Sequence, residues 1–127
     1  MNERSDVEFG FEKLDVWQKA VALATTLYSV TKSFPREELF GLTMQLRRAG
    51  VSVPANIAEG NSRSSGKEKA NFLQIAYGSL CEIATMLQIA ALQGLVSAET
   101  NEHVRVEISD LCRMLSGLRR ASLGKKE

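Results

Sequence analysis

Phe40-Gly41-Leu42-Thr43-Met44-Gln45-Leu46-Arg47-Arg48-Ala49-Gly50-Val51-Ser52-Val53-Pro54-Ala55-Asn56-Ile57-Ala58-Glu59-Gly60-Asn61-Ser62-Arg63 is the stretch on which the fold turns. Its apolar residues return every three or four positions, the period of an α-helix, and they do so straight through Pro54. Leu39, Leu42, Leu46, Ala49, Val53 and Ile57 fall on one helical stripe, while Phe40, Met44, Val51, Ala55 and Ala58 make a second, roughly opposite. A helix apolar on two sides calls for burial on two sides, and in a small domain the second side is expected to meet another subunit. Pro54 has no N–H for the carbonyl of Gly50, and its ring crowds that carbonyl. The spacing therefore predicts a kink between Gly50 and Pro54, with a full break as the alternative. The helix is expected to finish near Gly60-Asn61, two residues that accept the left-handed cap conformation.

On the N-terminal side, Val16, Ala20, Leu23, Leu27, Val30 and Phe34 predict a first helix over about 15–33, widened by Trp17, Val21, Ala24 and Tyr28. Phe34-Pro35 ends it, because the residue before a proline is pushed out of α geometry. Glu37 and Glu38 then belong in the first turn of helix two, where a helix end favours anions. On the C-terminal side, Ser64 or Ser65 caps helix three, with Glu68 in the capping-box position. Phe72, Ile75, Ala76, Ser79, Ile83, Met86, Leu87 and Ala90 form its expected main face, extended by Leu73, Tyr77, Ala84 and Ala91, and it reaches Gln93 before Gly94. Ser97 opens helix four, whose seam is Val104, Ile108, Leu111, Leu115 and Leu118. Three short connections imply antiparallel neighbours, so the expected architecture is all-α: an antiparallel up-down-up-down four-helix bundle with helix two kinked near Pro54. Its domain is expected over 12–122, between a flexible N-terminal segment at 1–11 and a basic flexible tail at 123–127.

With 127 residues and a net charge of +1, the chain supports one core and no global field that steers it to nucleic acid. Arg47, Arg48, Arg63, Lys67 and Lys69 nevertheless outweigh Glu59 and Glu68 in the middle, and Arg113, Arg119, Arg120, Lys125 and Lys126 dominate the end. Cys81 and Cys112 each sit inside a helical pattern, away from further Cys or His at metal-ligand spacing; they read as small apolar fillers, against a disulfide or metal ligand. No metal or cofactor is expected. Neither a charged-apolar-small leader nor an apolar run near the length of a membrane span is apparent, so the expectation is a cytoplasmic protein without a membrane partner.

Several strings together resemble a known family. They are Asp15-Val16-Trp17-Gln18-Lys19-Ala20; Phe34-Pro35 with Glu38, Phe40-Gly41-Leu42 and Gln45; and Arg47-Arg48-Ala49 followed by Ser52-Val53-Pro54-Ala55-Asn56-Ile57-Ala58-Glu59-Gly60 and Arg63. Helix three adds Phe72-Leu73, Ala76 and Gly78-Ser79-Leu80 with Glu82. Over about residues 11–95 the chain is similar to the four-helix-bundle proteins encoded in intervening sequences of bacterial 23S ribosomal RNA genes. The resemblance implies a bacterial, cytosolic homopentamer. It also implies distant kinship with the accessory variability determinant of diversity-generating retroelements, a pentameric barrel that engages nucleic acid and a reverse transcriptase. No settled activity comes with the family.

The family motif's polar residues Arg48, Ser52, Asn56, Glu59 and Arg63 share one flank of helix two. Two readings stand: a hydrogen-bonded seam that sets helix register or a subunit contact, or a surface for a ligand or nucleic acid. Glu59 is placed to pair with Arg63. Glu82 is expected in a buried salt bridge with an arginine of helix two, the alternative being an acid–base pair with Glu59. His103 reads as a surface residue, and no nucleophile elbow, phosphate loop or zinc pattern occurs.

The predicted protein is thus a non-enzymatic homo-oligomer with Trp17, Tyr28, Phe40 and Met44 as candidate subunit contacts. RNA or single-stranded nucleic acid is expected at Arg47, Arg48, Arg63, Lys67 and Lys69. Gln45, Ser52, Pro54, Asn56, Glu59, Gly60 and Glu82 make up the polar seam and family motif. A protein partner, such as a polymerase or a neighbouring gene product, is the rival reading, and a small-molecule or catalytic site at Glu59, Asn56 and Arg48 the third.

Overall fold

The structure, a computed structural model, describes residues 5–124. Residues 1–4 of the expected flexible segment and 125–127 of the expected basic tail lie outside the described residues. Within the described residues the protein is all-helical, with four long helices and no strand. They are α1 (Asp15–Thr31), α2 (Met44–Asn61), α3 (Gly66–Leu92) and α4 (Ala98–Gly124). α1 packs on α2, α2 on α3, α3 on α4, and α4 returns to α1, so one core lies between them.

The core follows the apolar periods. α1 buries Val16, Ala20, Leu23, Ala24 and Leu27, and Phe34 closes over the same core after the helix ends. α2 adds Leu46, Val53 and Ile57, and α4 adds Val104, Ile108, Leu111 and Leu115. Each fully buried aliphatic side chain contributes about 1.5–3 kcal/mol relative to exposure. In α3 the buried stripe is Leu73, Ala76, Leu80, Ile83, Leu87 and Ala90. Ile75, expected on the main face, is exposed, and Leu80 takes a central place. α3 is apolar almost all round, so spacing alone admits both stripes. The same property gives α3 the length and composition of a membrane span, with mean hydropathy 1.5, contrary to the expectation that no run approaches one. About a third of that window is buried inside the protein.

Helix ends follow local hydrogen-bond demand. The Ser65 hydroxyl accepts from the Glu68 amide at 3.0 Å, and the Ser97 hydroxyl from the Thr100 amide at 3.0 Å, each satisfying a donor that the first helical turn leaves free. α3 stops where Gly94 turns to φ 77°. There the Leu95 amide reaches the Ala90 carbonyl and the Gly94 amide that of Ala91, the paired bonds of a Schellman end.

Helix two departs from its expected start. Arg36–Glu38 is a 3-10 turn and Leu39–Thr43 a π-turn in which Gly41 takes φ −108° and ψ −113°, so α geometry begins only at Met44. The Glu38 carboxylate, expected to act on the first turn of the α-helix, instead accepts from the Leu42 amide at 3.4 Å inside this irregular entry. From Met44 the helix runs without interruption through Pro54 to Asn61. Gly50 faces α1 so closely that a Cβ there would stand 2.8 Å from Leu27 Cδ1, which explains a glycine in mid-helix.

Before α1, Gly10–Lys13 forms a 3-10 turn in which the Glu12 carboxylate accepts from the Phe9 amide. Phe11 stacks on Phe9 and leans on Trp17, with ring centroids 5.6 and 5.4 Å apart.

Candidate functional site

Two grooves flank α2 and share Arg48 and Ser52. The first, about 580 Å³, is lined by Tyr28 of α1, Leu39, Phe40 and Thr43 of the π-turn, and Met44, Arg47 and Val51 of α2 besides the shared pair. Its apolar side chains are open to solvent: Phe40 is 80% exposed, with Tyr28, Leu39 and Val51 also exposed and Met44 half-buried. The π-turn causes this. It carries Phe40 outward while α2 buries Leu46, Val53 and Ile57 inward. The second stripe read from the sequence is thus present as a surface.

Arg47 stands between this groove and the core. Its Nε donates to the Thr31 hydroxyl at 2.8 Å, and its guanidinium lies 4.7 Å from the centre of the Tyr28 ring. Thr31 donates its own hydroxyl hydrogen to the Leu27 carbonyl at 2.7 Å, so this buried hydroxyl both donates and accepts.

The second groove, about 280 Å³, runs between α2 and α3 and is lined by Gln45, Arg48, Ala49, Ser52, Ser79, Glu82 and Met86. At its floor the Ser52 and Ser79 hydroxyls share a hydrogen bond of 2.9 Å. The Asn56 amide donates to the Ser52 hydroxyl at 3.0 Å and to the Ser52 carbonyl at 2.8 Å. The seam's central residues are therefore satisfied within one chain. Glu82 corrects the expectation of a buried salt bridge: it is exposed at the rim beside Arg48 and makes no ion pair among the described residues. Nor does it meet Glu59, which lies near Phe72; ten residues of α3, roughly 15 Å of helix, separate Phe72 from Glu82.

At the far end of α2, Glu59 pairs with Arg63, as the four-residue spacing predicts. Arg63 also lies 4.9 Å over the Phe72 ring. Gly60 lets α3 close in, since a Cβ there would stand 3.1 Å from Phe72 Cβ. Pro54 is buried in the core face of α2. Lys67 is exposed and Lys69 half-buried in the first turn of α3.

The five basic residues predicted as one surface thus fall into two groups. Arg47 and Arg48 flank the first groove; Arg63, Lys67 and Lys69 lie where α2 passes into α3, beyond the roughly 20 Å of α2 that runs from Arg48 to Asn61. Of the four predicted subunit contacts, Tyr28, Phe40 and Met44 line one groove. Trp17 lies in the first turn of α1, half-covered by Phe11. Sequence reasoning passed over Leu39 and Val51 as groove residues, although both belong to the apolar stripes it recognised.

A family model described as 23S rRNA-intervening sequence protein matches residues 12–117. The chain belongs to that family. No curated protein is detectably similar to it in sequence. Among solved structures it is similar to a protein of unknown function from the S23 ribosomal protein family of Bacteroides thetaiotaomicron VPI-5482, with 23% identity and a TM-score of 0.76. That likeness covers 83% of this chain and 95% of the other, and it supports the fold.

Proposed function

We propose that this member of the intervening-sequence family is a non-enzymatic, self-assembling scaffold, a homopentamer of four-helix bundles acting in the cytoplasm. The pairings of Leu27 with Gly50, Ser52 with Ser79 and Gln88 with Asn101 support an antiparallel up-down-up-down course for each bundle. A bend of α2 near Gly50–Pro54 belongs to the same reading, because Pro54 leaves the Gly50 carbonyl without its helical donor. One observation carries the assembly: the apolar groove of Tyr28, Leu39, Phe40, Met44 and Val51 is open in a single chain. A contiguous exposed apolar patch of this kind marks an interaction surface. Sedimentation velocity at micromolar protein tests it. A pentamer is expected, and a monomer defeats the proposal.

A second reading is nucleic-acid binding, favoured by Arg48, which is exposed on the ridge between the two grooves and makes no ion pair among the described residues. Five copies in a ring multiply a modest charge. Affinity for structured RNA is then expected to fall steeply with salt. Absence of salt-sensitive binding removes this reading and leaves the scaffold standing, while equal binding by wild type and Arg48→Ala moves the contact away from Arg48.

A further inference from the structure

One hydrogen bond and two shared grooves show how α3 and α4 lie against each other. Asn101 Nδ2 donates to the Gln88 side-chain oxygen at 3.1 Å. Ala84 borders one surface groove with Ile108 and Ser109. Tyr77 borders another with Leu115 and Ser116. As α3 is read backwards from Gln88 through Ala84 to Tyr77, its partners on α4 advance from Asn101 through Ile108 to Leu115. Between the last two levels, Cys81 of α3 comes opposite Cys112 of α4. These are the chain's two cysteines.

Facing direction agrees with level. Cys81 is four residues after Tyr77 and three before Ala84, so it shares their flank of α3. Cys112 is three residues after Ser109 and four before Ser116, so it shares theirs on α4. Both thiols are free, Cys81 exposed and Cys112 half-buried. They are also near enough to act on each other: burial raises the pKa of the Cys112 thiol, and Cys81 adds to that rise. Neither residue lines the Tyr28–Phe40 groove or the Ser52–Ser79 seam.

We propose that Cys81 and Cys112 form a redox-closable clip across α3 and α4, a dithiol under reducing conditions that becomes a disulfide on exchange with a low-molecular-weight disulfide such as oxidised glutathione. The exposed Cys81 thiolate attacks one glutathione sulfur, forming a mixed disulfide and releasing one glutathione thiolate. The Cys112 thiolate then attacks the Cys81 sulfur, closing the protein disulfide and releasing the second. Two protein thiols are oxidised, one glutathione disulfide is reduced to two thiols, and no other reactant is needed. The clip closes a loop that includes the α3–α4 connection and ties the two helices at mid-height.

The experiment treats the folded full-length protein with oxidised glutathione at neutral pH and reads intact mass, a tryptic map without reductant, and thermal melting. The expected product is monomolecular, lighter by two hydrogen atoms, with Cys81 and Cys112 peptides joined. Its melting point is expected to rise by about 5–10 °C, reversed by dithiothreitol. Cys112→Ser is expected to stop at a single glutathione adduct on Cys81. Accumulation of glutathione on both cysteines, cross-links between chains, or a bond that forms only in urea overturns the proposal. These outcomes are independent of whether the protein assembles or binds RNA.

Discussion

The two grooves beside α2 share Arg48 and Ser52, yet they differ in what a single chain leaves unfinished. In the seam with α3, Ser52, Asn56 and Ser79 complete one another's hydrogen bonds. In the groove with α1, Phe40, Leu39, Tyr28 and Val51 are exposed, with nothing among the described residues to cover them. A buried polar group left unpaired costs more than an apolar one left wet, so a fold completes its polar seams internally. Apolar surface is what such a fold can leave open. The Ser52–Ser79 bond therefore marks where α2 meets α3, and the neighbouring apolar stripe lies open to solvent.

The largest consequence concerns Phe40. Phe40→Asp places a charge at the most exposed apolar point of the groove, and self-association is expected to weaken about a hundredfold, as for a central interface residue. Because Phe40 is outside the core, unfolding free energy is expected to change by no more than about 0.5 kcal/mol. A dilution series by sedimentation velocity alongside urea melts reads both. A destabilised monomer with unchanged association reverses the roles assigned to the two grooves.

The seam gives the opposite pattern. Ser79→Ala removes the hydroxyl that holds Ser52 and is expected to cost about 1–2 kcal/mol in urea unfolding, with association unchanged. Adding Ser52→Ala is expected to cost less than the sum of the two single changes, because the bond is already lost. Additive costs show instead that the hydroxyls act separately. Arg47→Ala comes next, at about 1 kcal/mol: it loses the Thr31 bond and the contact with Tyr28, but Thr31 keeps its bond to Leu27.

Much of this arrangement was readable in the residues. The cap at Ser97, the end at Gly94 and the core face of α1 each rest on a local rule with one strong solution, and the structure chooses Ser65 from the Ser64–Ser65 pair the sequence offers. The second stripe of α2 was readable as apolar surface too. The π-turn at Leu39–Thr43 was not, because Leu39, Leu42 and Leu46 keep a helical spacing whether or not Gly41 leaves helical geometry. Ile75 and Leu80 exchanged places because α3 offers several apolar stripes and only its neighbours choose between them. The contact of Phe11 with Trp17 was not readable either, because the period of α1 carries no trace of the segment before it. Glu82 and the facing of Cys81 with Cys112 depend on register between helices, a property that no single helix encodes.

The smallest expected effect tests whether the polar flank is uniform along α2. At its far end, Glu59 and Arg63 are 48% and 39% exposed, so water and salt screen their attraction. Glu59→Gln is accordingly expected to cost only about 0.3–0.5 kcal/mol, and less in high salt. Arg63 retains the face of Phe72 after that change, since the ring contact does not depend on the carboxylate. Arg63→Ala is expected to cost more, because it removes the ring contact and the apolar stem together. If Glu59→Gln instead costs as much as Ser79→Ala, the whole flank from Ser52 to Arg63 works as one coupled network. A small, salt-sensitive cost confines the structural seam to Ser52, Asn56 and Ser79, and leaves the Glu59–Arg63 end as solvated helix surface.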